Sequence, residues 1–240
     1  MVGKGGEMDV VITRQPGILS SYGISRYQVL KRVMDLLFCI LLAPFLAPVM
    51  LCCAILIRLD SPGPAIFVQD RIGKDGKLFK IYKFRTMRHN LDNSKHREMM
   101  QKFVQGQVGD GEKSGSGREE TAKLYKPFQA SEVTRVGRIL RKTSLDELPQ
   151  VLNILKGEMS LIGPRPNVPW EVEAYQSWHY ERLEVLPGIT GLAQVRGRSS
   201  ISFDRIVQYD IEYVQNQSLV LDLKIIWQTF FAIVLRDGAG

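Results

Sequence analysis

The sequence predicts an α+β fold: a mainly helical cytosolic domain with a small β-hairpin, a re-entrant membrane helix-break-helix and interfacial amphipathic helices. Three observations predict it. The run from Leu36 to Ile57 is apolar and uncharged, yet holds Pro44 and Pro48 near its middle. Two runs that read as strands, Ala65 to Asp70 and Lys77 to Arg85, flank Gly73-Lys74-Asp75-Gly76, a hairpin signal. From Glu132 onward, apolar residues return at helical spacing with basic or polar residues between them.

The bulk properties set the frame for these elements. Hydrophobic residues make up 45% of 240, which excludes a disordered chain. A mean hydropathy close to zero argues against a multi-span transporter. The net charge of +7 implies an anionic partner: nucleic acid, an acidic membrane surface or a phosphorylated substrate. Cys39, Cys52 and Cys53 all lie in the apolar run, without metal-ligand or disulfide-framework spacing, and read as small apolar residues.

Residues 1–30 read as a flexible lead-in, Gly-rich at the start and without the apolar core of a signal peptide. Residues 31–60 form the membrane segment. Its length suits a full span, about 20 residues. Each proline, however, removes a helix hydrogen bond and presses on the preceding turn. Lys31 and Arg32 before the run and Arg58 after it would keep both ends on the cytoplasmic side. A helix broken at Pro44 and Pro48, entering and leaving by one face, satisfies both observations; a kinked full span is the alternative. Asp35 is expected to cap the segment or to pair with Arg32.

Residues 61–240 form the cytosolic region. Asp60-Ser61-Pro62-Gly63-Pro64 is a rigid exit turn. In the second strand Phe79, Ile81 and Lys83 share a face, although the alternation leaves the register open. His89, His96 and the nearby acids lack metal-ligand spacing and read as solvated surface. Residues 105–125 form a flexible loop around Gly109 to Gly117, which lacks the Lys-Ser/Thr ending of a P-loop. Beyond it, Val133, Val136, Ile139 and Leu140 make an apolar stripe, while Arg135, Arg138 and Lys142 line a basic face, either solvated surface or a surface for lipid or substrate phosphates.

Asp146 and Glu147 follow. Ser144-x-x-Glu147 fits a capping box, and Asp146 as N-cap would place Pro149 in the first turn, where its missing N–H costs little. Capping accounts for one acid but not for two adjacent ones bordered by Arg141 and Lys142. A helix N-terminus beside basic side chains suits a phosphate and would hold a carboxylate ionised, as nucleophile or metal ligand. Gly163-Pro164-Arg165-Pro166 fixes a turn and directs one guanidinium, suited to bidentate phosphate contact. The aromatic cluster Trp170, Tyr175, Trp178, His179 and Tyr180 has acids rather than bases between its rings, so core or interface packing is expected over base stacking. Leu219 to Leu235, interrupted by Asp222, Lys224 and Gln228, predicts an amphipathic helix on the membrane.

These residues carry a family resemblance. Lys31-Arg32-x-x-Asp35, the apolar run, Asp60 to Pro64, Lys83 to Met87, Leu140 to Gln150, Leu161 to Pro166, Pro187 to Gly191, Tyr209-Asp210 and Ser218-Leu219-x-Leu221-Asp222 occur in that order. Together they resemble the bacterial sugar transferases known as monotopic phosphoglycosyl transferases, as one domain over residues 31–240. The resemblance implies transfer of a sugar 1-phosphate from a UDP-sugar to undecaprenyl (polyprenyl) phosphate, with release of UMP, as the first membrane step of exopolysaccharide or glycoconjugate synthesis. It implies a bacterial inner-membrane protein on the cytoplasmic face, with Mg2+ as cofactor. Asp146 matches the covalent nucleophile and Glu147 its partner in metal binding and proton handling, so both are candidate metal ligands. Arg141 and Arg165 match the anion-binding arginines, with Pro164 beside them and Arg85 as a further candidate. Two departures stand out: Ala47 replaces the serine before the helix-breaking Pro48, and Gly197-Arg198-Ser199 stands for a Gly-Arg-Asn motif. The chain looks like the short form of the family or its catalytic part. No nucleic-acid-binding motif is present. A non-catalytic membrane scaffold is the alternative function. The residues set neither the sugar nor an oligomeric state; a homodimer is one candidate.

Overall fold

The computed structural model describes residues 25–88, 94–106, 132–197 and 201–234. The Gly109 to Gly117 loop, His89 and Arg198-Ser199 lie outside the described residues. Helix α1 (Arg26–Asp60) leads into the antiparallel hairpin of β1 (Ile66–Ile72) and β2 (Leu78–Phe84). Then come α2 (Ser94–Val104), α3 (Arg135–Thr143), a 3-10 segment (Leu145–Gln150) and α4 (Val151–Lys156). Strand β3 (Ser160–Ile162) pairs in parallel with β4 (Gly188–Thr190). Between them run α5 (Pro169–Val172) and a further 3-10 segment (Ser177–Glu184). Helices α6 (Leu192–Arg196), α7 (Phe203–Gln215) and α8 (Leu219–Val234) complete the body.

Two expectations for α1 are corrected. The helix begins at Arg26, inside the expected lead-in, because Ser25 and Gln28 close a reciprocal capping box. It also remains helical across Pro44 and Pro48, so the expected break does not interrupt it. The two prolines stand four residues apart, so the backbone bonds they remove lie one above the other on one face while the rest of the ladder continues.

The helix is anchored at both ends and bare between. Near its start, Lys31 pairs with Asp222 at 3.0 Å, and Tyr27 and Tyr213 donate to the same carboxylate at 2.9 and 2.8 Å. Arg32 caps α4 by donating to the carbonyls of Ile154 and Leu155, so this flanking charge also serves as a helix stop. Asp35 accepts from the backbone of Leu161 at 3.0 Å rather than capping α1. Cys39 packs with Phe79, Ile81, Ile154 and Met159. Near its end, Cys53 and Ile57 pack with Phe84 and Leu140, while Asp60 accepts from Val136 N at 3.0 Å. Ile40, Leu41 and Phe45 between these anchors are more than 60% exposed.

The hairpin matches its expectation, and its register is now set: Val68 faces Tyr82 and Gln69 faces Ile81. Phe79 and Ile81 are buried and Lys83 lies on their side of the strand. The buried Asn153 fastens α4 to β2, accepting from Tyr82 N and donating to Lys80 O at 2.7 Å. Tyr175 and His179 pack around Phe203, as core packing of the aromatic cluster required.

Candidate active site

Three pieces of chain converge on Asp146 and Glu147. Helix α3 ends at Thr143, and Ser144 takes a left-handed conformation (φ 56°) whose N–H returns to the carbonyls of Arg141 and Leu140. The chain then turns directly into the 3-10 segment that carries both acids. Ser144 makes no side-chain cap bond, and α4 begins only at Val151. The capping expectation is therefore corrected. Ser144 is spent on ending α3, which leaves Glu147 to side-chain partners.

Glu147 has two. Lys83 from β2 reaches its Oε1 at 3.2 Å, and Arg165 from the turn after β3 reaches the same oxygen at 2.9 Å. Burial alone would raise the Glu147 pKa, but the charges of Arg165 and Lys83 and the bonds they donate overcome it and hold the carboxyl at about 2. Lys83 is pulled down to about 8, first by burial and then by the nearby Arg165 charge. Asp146, partly buried, moves the other way. Burial and the neighbouring Glu147 charge raise it, and Lys83, Arg165 and Arg141 only partly oppose them. The expected depressed carboxylate is thus Glu147, whereas Asp146 is the more basic of the pair.

The remaining expected residues divide. Arg141 lies on the last turn of α3, where its Nε donates to Thr86 Oγ1 at 3.0 Å, and its charge acts on Asp146. Pro164 leads into Arg165, and its carbonyl accepts from Gly188 N at 3.0 Å. Arg85 is placed elsewhere. It is buried under the exit turn, donating to the carbonyls of Ser61 and Pro62 at 2.6 and 2.7 Å. That lines up its guanidinium with the end of α1 rather than with the acids. Pro44 and Pro48 belong to α1, apart from this cluster.

Sequence reading missed Lys83 as a site residue. Its signal was present, since a lysine on the apolar face of a strand requires a buried partner. Arg71 and Arg182, which hold the Arg165 turn, gave no such signal.

Asp146 and Glu147 offer hard oxygen donors side by side. Among the described residues no group of three His, Cys, Asp or Glu side chains could hold a metal by itself. A pair of carboxylates fits Mg2+ when substrate phosphates complete its shell, the usual arrangement for that ion.

A family model described as bacterial sugar transferase matches residues 26–236. Among curated relatives, the exopolysaccharide production protein ExoY of Sinorhizobium fredii is 40% identical over 87% of this chain and 87% of its own length. The UDP-glucose:undecaprenyl-phosphate glucose-1-phosphate transferase of Caulobacter vibrioides is 40% identical over 87% of this chain and 71% of its own. The undecaprenyl-phosphate galactose phosphotransferase of Salmonella typhimurium is 39% identical over 88% of this chain but only 41% of its own. The chain therefore spans less than half the length of several relatives it matches.

Proposed function

The chain belongs to the bacterial sugar transferase family, and we propose that it moves a sugar 1-phosphate from a UDP-sugar to undecaprenyl phosphate, with Asp146 as nucleophile. The observation that carries this reading is the pairing itself. Asp146 stands partly buried beside a Glu147 already neutralised by Lys83 and Arg165, with Arg141 next to it. Three cationic side chains around two acids make a site for phosphate, in which the raised Asp146 is the more nucleophilic carboxylate.

In the first step an Asp146 oxygen bonds to the sugar-bearing phosphorus, the bond from that phosphorus to its bridging oxygen breaks, and UMP leaves. In the second, an oxygen of undecaprenyl phosphate attacks the same phosphorus and the carboxylate departs, giving a sugar-diphospholipid. Arg165 and Arg141 offset phosphate charge in both steps. With a pKa near 2, Glu147 is anionic at neutral pH, which suits a metal ligand rather than a proton donor. Asp146 and Glu147 would hold Mg2+, which would supply charge neutralisation at the phosphates.

We also propose that the chain is monotopic, on the cytoplasmic face of the inner membrane. Support comes from α1: both its ends dock on one polar body while its middle is exposed and apolar. A full span would put one of those ends on the far side of the hydrocarbon, away from the body that holds the other. Tags at positions 20 and 70 should both be reached only from the cytoplasm; opposite accessibility would establish a full span.

The direct test is incubation with UDP-galactose, UDP-glucose or UDP-N-acetylgalactosamine and Mg2+, without lipid acceptor, followed by intact mass. A phosphosugar adduct should appear and be lost in Asp146→Asn. UMP release that persists in that variant would remove Asp146 as nucleophile.

A further inference from the structure

Residues 164–167 form a turn in which four successive carbonyls are each held from elsewhere. Gly188 N donates to Pro164 O at 3.0 Å, Arg182 Nη2 to Arg165 O at 2.9 Å, Arg71 Nη1 to Pro166 O at 2.9 Å, and Ile72 N to Asn167 O at 2.9 Å. Pro164 and Pro166 add a locked φ on either side of Arg165. The backbone is therefore immobilised around one residue, and the Arg165 side chain is left to meet Glu147.

Of these four donors, Arg182 acts on Arg165 itself. It is fully buried, donates to Tyr175 Oη at 2.8 Å and to Asn167 Oδ1, and pairs with Asp210 at 2.6 Å. Asn167 is braced in turn by Glu171 at 2.7 Å. Burying a guanidinium and a carboxylate is costly, and apolar residues of similar volume would fill such a core at least as well for stability. They could not supply a donor to the Arg165 carbonyl.

We infer that Arg182, held by Tyr175 and Asp210, is a positioning residue that aims the Arg165 guanidinium at Glu147 and the transferred phosphate. This rests on the proposal that Arg165 belongs to the reacting site. Arg182 touches neither acid, so its effect on turnover passes through the turn that carries Arg165.

The test is a double-mutant cycle on the intact chain in detergent, reading phosphosugar adduct formation from the donor nucleotide that serves the unaltered protein. Arg182→Lys should lower the adduct-forming rate about 10- to 100-fold with little change in the donor concentration at half-maximal rate. In an Arg165→Ala background the same substitution should change the rate by less than about twofold, because the residue it positions is gone. Equal losses in both backgrounds would mean that Arg182 only supports the fold, and would overturn the inference. An unaltered rate in Arg165→Ala alone would instead overturn the site assignment on which it rests. Should Arg182→Lys fail to fold, Tyr175→Phe removes one of its partners and keeps the ring. A several-fold loss that vanishes with Arg165→Ala supports the inference, and a wild-type rate overturns it.

Discussion

Lys83 shows how one residue can tie strand geometry to chemistry. It lies on the side of β2 that carries Phe79 and Ile81, and its ammonium ends on Glu147. Burial, then Arg165, brings its pKa down to about 8, below that of an exposed lysine. For a base the sign is clear. The cost of holding the charged form is present below about 8 and disappears as pH rises through the ordinary lysine range near ~10.4. Above about 8, Glu147 loses one of its two cations. The rate of UMP release should therefore fall on an alkaline limb with an apparent pKa near 8. Lys83→Arg should remove that limb, since a guanidinium keeps its charge. Lys83→Met should lower the rate about 10- to 100-fold at pH ~7. Glu147 has a linkage of the same sign, seen as a gain in stability rather than a cost. Its depressed pKa of about 2 contributes stability above the ordinary glutamate range that is lost as pH falls towards 2. Glu147→Gln should flatten thermal stability across that acid window. The acids were legible in the sequence because two adjacent carboxylates among arginines are unusual. Lys83 was not read, because a strand pattern reports which face a residue takes and not what it meets there.

Among the elements, the parallel pair β3 and β4 sets the Arg165 turn, and glycines allow it. A Cβ on Gly163 would lie 2.3 Å from Leu186 O, and one on Gly188 would lie 2.1 Å from Gly163 N. These neighbours are backbone and cannot yield without parting the strands. Gly163→Ala should cost about 1–3 kcal/mol in stability, measured by thermal unfolding in detergent, and should lower turnover by more than that loss accounts for. The turn was visible as Gly163 to Pro166, whereas Pro187 to Gly191 stood out only as a motif of the family resemblance. Their contact was not, because strands of three residues give no alternation to read. The 3-10 segment shows the same limit. Ser144-x-x-Glu147 is a sound capping pattern, but the left-handed Ser144 had already closed α3.

For the whole molecule, the question is what fastens the apolar α1 to the body. The fold gives Asp222 a role that its sequence context concealed. It interrupts an apolar run only on paper, since in space it is fully buried and receives Lys31, Tyr27 and Tyr213. Asp222→Ala would take the shared acceptor from a buried ammonium and from two hydroxyls, leaving Tyr213 the distant Ile162 O at 3.4 Å. A loss of roughly 3–5 kcal/mol is expected by thermal unfolding, against about 1 kcal/mol for Tyr27→Phe. The other side of α8 points away from this anchor. Val220, Leu223, Trp227, Phe230 and Phe231 are exposed and fall within an arc of about 100° on a helix wheel, opposite Asp222, Ile225 and Thr229. An uncovered apolar stripe on a body that also carries the bare middle of α1 would suit a lipid surface, which gives a prediction. With Trp170 and Trp178 replaced by Phe, Trp227 fluorescence should be quenched by lipids brominated just below the headgroup. Quenching should be weaker with bromines near the chain ends, as expected if the stripe is one face of a helix lying along the interface. Strongest quenching at the chain ends would place α8 deep in the bilayer, and no quenching would place it in water.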